Sequence, residues 1–87
     1  MVDAPKIEFP CPDPLKVVGD AAEDFREFVA AVLDRHAGPI EVDELEVVAS
    51  RNGRFLSVRA TIVATGEPQL RALFEELKAS GRVHMVI

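Results

Sequence analysis

Six periodic segments follow one another along these 87 residues in the order strand, helix, strand, strand, helix, strand. That order is the split βαβ, or ferredoxin-like, plan. The expected class is α+β: a βαββαβ sandwich in which a four-stranded antiparallel sheet carries two helices on one face, with the first and third strands central. The length allows one domain. We place it at 15–87, behind an extended Pro-rich lead-in at 1–14 that holds four of the six prolines. Because Pro lacks an N–H, the lead-in is not expected to supply a central strand. The plan hosts RNA binders, metal carriers, small phosphatases and regulatory modules, so it leaves the activity open.

The segments are read from their periods. Residues 15–18 form a short first strand, with Leu15 and Val17 on one face and Lys16 and Val18 on the other. Asp20 and Glu23 have the spacing of a capping box. Phe25, Phe28, Val29, Val32, Leu33 and His36 then recur at helical spacing, until Gly38-Pro39 stops the helix. Residues 42–50 read as the second strand, and Asn52-Gly53 as the hairpin turn. Leu56, Val58, Ala60, Ile62 and Ala64 alternate with Phe55, Ser57, Arg59, Thr61 and Val63. The first set suits a core and the second faces away from it. Thr65 is the expected cap of a second helix built on Leu70, Leu73, Phe74 and Leu77, with Pro68 tolerated in its first turn. Gly81 closes that helix. Residues 82–87 form the last strand, with Val83, Met85 and Ile87 set against His84 and Val86. The face without helices is thus expected to carry Lys16, Val18, Phe55, Ser57, Arg59, Thr61, Val63, His84 and Val86. It is not strongly polar, and either a partner or the lead-in, through Ile7 and Phe9, is expected to cover it.

Charge and cysteine content narrow the functions. A net charge of −5 repels phosphate backbones and disfavours nucleic-acid binding. An RNA-recognition sheet stacks bases on aromatics of its central strands, and here the first strand has none and the third only Phe55. The single cysteine, Cys11, excludes an internal disulfide and, within one chain, a thiolate metal cage. No secretory leader and no membrane-length apolar run is visible, so the cytoplasm is the expected location.

An ordered set of short pieces gives a further indication. Phe9-Pro10, Lys16-Val17-x-Gly19, Arg35-His36-Ala37, Gly53, Ser57-Val58, Thr61-Ile62, Ala64-Thr65, Leu73-x-Glu75-Glu76-Leu77 and Val83-x-Met85-Val86 run from about residue 9 to the C-terminus. In this the chain resembles the YbeD-like family of small bacterial proteins with an ACT-like, ferredoxin-type fold. The resemblance implies a bacterial cytosolic protein with no established enzymatic activity and no catalytic residues to transfer. It also implies kinship in shape with ACT modules, which bind small effectors and pair edge to edge, so a homodimer is one expected assembly. A link to lipoate metabolism is implied by gene neighbourhood. The chain departs from familiar members at Asp13-Pro14 and Pro68 and lacks their tyrosines.

No catalytic, cofactor-binding or metal-binding set emerges from the residues themselves. Cys11 has no cationic neighbour to activate it. His36 suits a helix C-terminus, where a cation meets the dipole, and has no ligand spacing to Cys11 or His84. Glu41, Asp43, Glu44 and Glu46 read as a solvated acidic approach. The remaining candidates are Lys16, Arg59 and His84, expected as a cationic stripe across three strands, with Phe55 beside them. Such a stripe could hold a carboxylate or phosphate, or could be ordinary solvated side chains whose stems cover apolar neighbours. The expected function is a non-enzymatic regulatory or adaptor module that binds a protein partner or small anionic effector through the open sheet face or a strand edge. The alternatives are an RNA-recognition-type nucleic-acid binder or a small hydrolase, for which the Gly19-Asp20 turn lacks a phosphate cradle.

Overall fold

The computed structural model describes residues 10–87. Its elements are β1 (Cys11–Asp20), α1 (Phe25–Ala37), a short 3-10 turn (Val42–Glu44), β2 (Glu46–Ala49), β3 (Phe55–Ala64), α2 (Glu67–Ala79) and β4 (Val83–Val86). The sheet order is β2-β3-β1-β4 with every pairing antiparallel, a ferredoxin-like arrangement. Leu15 and Val17 of β1 and Val58 and Ile62 of β3 are buried with Phe25, Val29, Val32 and Leu33 of α1 and Leu73 and Leu77 of α2. Each such side chain contributes about 1.5–3 kcal/mol through removal from water. The period-2 and period-3.6 patterns meet in this one core, as expected.

The lead-in behaves differently from expectation. It is extended, yet from Cys11 onward it belongs to the sheet, and Pro12 and Pro14 lie within a central strand. The backbone direction explains this. Lys16 exchanges both its backbone hydrogen bonds with Ile87, at 3.0 and 2.9 Å, so even-numbered residues of β1 turn their N–H groups toward β4. Pro12 and Pro14 share that direction but lie beyond the stretch that β4 pairs, which begins at Lys16. No ladder bond is lost there, and β1 is an edge strand over that stretch. The expected cover by Ile7 and Phe9 falls outside the described residues.

The helix starts also differ. Asp20 is the last residue of β1, not a cap; the N-cap of α1 is Asp24, whose side chain makes no capping hydrogen bond. The expected box fails because Asp20 is held in the sheet, where its N–H donates to Arg82 O at 3.0 Å. At α2 the N-cap is Gly66 rather than Thr65. The backbone N–H of Thr65 donates instead to Gln69 Oε1 at 2.8 Å, while Gln69 Nε2 donates to Val63 O at 3.1 Å and His36 O at 2.9 Å. One amide side chain thus ties the end of β3, the start of α2 and the end of α1. The second strand is shorter than expected, because residues 42–44 curl into the 3-10 turn before Leu45 buries. The hairpin holds Asn52-Gly53 in a wider loop closed by Ser50 and Phe55, with Gly53 at φ 74°.

The largest change of register lies in β4. Val17 pairs with Val86 and Val18 with Met85, but Gly19 pairs with Val83, so a bulge intervenes. An extra residue reverses which side chains face the core. Val86, expected outside, packs against the core; Met85 and Ile87 turn to the other face.

Candidate functional site

The face of the sheet without helices is built from the even-numbered residues of β1 and the odd-numbered residues of β3. Cross-strand pairing arranges it in rows. One row runs Val48, Ser57, Val18, Met85. The next runs Glu46, Arg59, Lys16, Ile87. Thr61 with Pro14, and Val63 with Pro12, continue it along the β1 overhang. Among the described residues, the large apolar side chains that remain exposed are Val48, Phe55, Val63, Met85 and Ile87, from 38% for Phe55 to 64% for Ile87. All five lie on this face.

The expected cationic stripe is divided. Lys16 and Arg59 are direct cross-strand partners. Neither makes an ion pair among the described residues, although Glu44 and Glu46 line the same shallow concavity of about 530 Å³ with Pro14, Thr61 and Ile87. His84 stands apart from them: its Nε2 lies 2.7 Å from Asp20 Oδ1, and its ring meets Phe55 edge-on at 5.4 Å. Asp20 therefore takes up the third member of the stripe. Val48, Met85 and Ile87 are missing from the face derived by alternation alone. The β4 bulge hides two of them, and no turn residue inside β4 announces it. Val48 does alternate with Val47 in the sequence, and that signal was available.

Elsewhere several polar groups are engaged in ion pairs. His36 Nε2 lies 2.7 Å from Glu76 Oε1, and Arg35 pairs with the same carboxylate, clasping α1 to α2. Arg82 stacks over Phe28 at 4.8 Å and Phe25 at 5.7 Å, and binds Asp24 through two hydrogen bonds of 2.7 and 3.2 Å. The guanidinium hydrogen bond holds the Asp24 carboxyl below its ordinary value of 3.8. Cys11 is half-buried opposite Ala64. Among the described residues no three His, Cys, Asp or Glu side chains converge as a metal-ligand group. No described helix is long and apolar enough to cross a membrane.

Comparison with known proteins gives a consistent family match. The family described as "Protein of unknown function (DUF493)" matches residues 4–87. A UPF0250 protein of Azotobacter vinelandii is 54% identical over 87 residues, covering 99% of this chain and 95% of the relative. A UPF0250 protein of Pseudomonas aeruginosa is 51% identical over the same length, covering 99% and 94%. The solution structure of protein HP0495 from H. pylori superposes with a TM-score of 0.74 at 19% identity, covering 97% of this chain and 88% of that one. That likeness shows the fold.

Proposed function

The chain belongs to the DUF493 family of small bacterial proteins, also described as UPF0250, and we propose that it is a non-enzymatic regulatory or adaptor module that binds a protein partner through its open sheet face. One observation carries the reading: the five large apolar side chains left exposed in the described residues share that face, and none lies on the helical side. Large apolar side chains gathered on one open face suit a contact surface. Lys16 and Arg59 within the patch give it polar selectivity.

Absence of enzymatic activity is part of the proposal. Its support is that among the described residues no three His, Cys, Asp or Glu side chains converge, and that Arg35, His36, Glu76, Arg82 and Asp24 are engaged in ion pairs. The cytoplasm is supported by the lone thiol, and a place beside lipoate metabolism by the family resemblance alone.

The test is Phe55→Ser combined with Met85→Ser in the full chain. The expected outcome is a native melting curve together with loss of cross-linked complexes in the source cell. Unchanged complexes would remove the face from consideration. Turnover of a generic phosphate or ester substrate, abolished by one substitution, would remove the non-enzymatic reading.

A further inference from the structure

Lys16 and Arg59 stand directly opposite each other on the two central strands. Like charges in that position repel. Four ion pairs form among the described residues: Arg35 and His36 share Glu76, Arg82 takes Asp24, and His84 takes Asp20. Lys16 and Arg59 have no such partner among the described residues, and Glu46, across from Arg59 on β2, lines the rim without closing an ion pair. Resting on the reading of the open face given above, we propose that these two side chains form an anion-reading site for a partner's polypeptide segment in which a carboxylate stands between apolar side chains.

Three features select that occupant. Glu44 and Glu46 balance Lys16 and Arg59 over the whole lining, so the anion is called for by the side-by-side cations alone, and the Arg59 guanidinium suits a carboxylate held through two hydrogen bonds. The flanks are apolar: Ile87 borders Lys16 on one side, and Pro14 lies along the same wall. The concavity is open, with Arg59, Thr61 and Ile87 all exposed, whereas small-molecule sites bury most of their ligand. An extended segment laid across the sheet covers more of such a surface than a free effector does. A second copy fits poorly. Stacking this row on itself about a two-fold axis through its centre would lay the order Glu46, Arg59, Lys16, Ile87 over its reverse, cation upon cation.

The experiment is a titration of the isotope-labelled full chain, followed by backbone amide NMR. The probes are acetyl-Leu-Glu-Leu-Glu-Leu-amide, its glutamine counterpart, and free glutarate. The glutamate peptide should shift the amides of Lys16, Arg59 and Thr61 saturably, and the shifts should weaken with added salt. The glutamine peptide, and the variants Lys16→Gln and Arg59→Gln, should each bind about tenfold more weakly, the loss of one charge-assisted contact. Equal binding of the two peptides would overturn the proposal. So would glutarate matching the glutamate peptide, which marks a small-molecule site. A large gain in affinity in Glu8→Gln would give the site to the chain's own Ile7-Glu8-Phe9 and overturn it too. Partner complexes that are lost in the Phe55→Ser, Met85→Ser double variant but survive Lys16→Glu and Arg59→Glu would sink this inference alone and leave the adaptor reading standing.

Discussion

Gly19 shows how little room single residues have where strand and helix meet. A Cβ placed there would lie 2.5 Å from the Phe25 ring and 2.5 Å from the Arg82 carbonyl oxygen. Gly19→Ala should therefore destabilise the fold by about 1–3 kcal/mol, read from urea midpoints, as overpacking forces the ring or backbone aside. Ile62, 2% exposed beneath the helices, marks the opposite case. Ile62→Ala should cost about 2–5 kcal/mol by leaving a cavity, and a cost below about half a kcal/mol would refute its placement in the core. Arg82, whose carbonyl faces Gly19, is stacked on Phe28 and bound to Asp24. Since the folded-state pKa of Asp24 is depressed, this pair favours the native state above the ordinary carboxylate value of 3.8. The contribution fades as pH falls through the lower folded value. In Arg82→Gln the Asp24 carboxyl, followed by NMR, should titrate higher than in the parent.

At the scale of elements, the β4 bulge makes a prediction that simple alternation reverses. Val86→Ala should lower stability by about 0.5–1.5 kcal/mol because its side chain packs on the core. Met85→Ala, on the open face, should change stability by less than about half a kcal/mol. Gln69→Ala should cost about 1–3 kcal/mol, since it removes three hydrogen bonds that join β3, α1 and α2. Element types and order were legible because each segment keeps one period over enough residues: β3 alternates through ten positions and α1 repeats through three turns. What escaped was decided by neighbours distant in sequence. The prolines of β1 are admissible only because β4 starts pairing at Lys16, and Asp20 fails as a cap because Arg82 and its β3 partner Phe55 hold it in the sheet. At the site, the Lys16–Arg59 pairing followed from register, whereas the separation of His84 depended on Asp20 occupying it. The bulge had no local residue to betray it.

For the whole molecule, the two sheet faces have different surroundings. One is sealed by α1 and α2 around a core without buried polar or charged residues among those described; the other presents, among the described residues, five large exposed apolar side chains and the cations Lys16 and Arg59, which form no ion pair there. Phe55→Ser should accordingly leave the melting temperature within a few degrees of the parent while reducing association measured by sedimentation or cross-linking; a large loss of stability would mean that the face is already covered within the chain. The parity of β3 has a consequence for divergence. Phe55, Ser57, Arg59, Thr61 and Val63 lie outside the core that their immediate neighbours build, so descendants of this chain can change what this face presents by rewriting every second letter of one strand, while the letters between keep the protein folded.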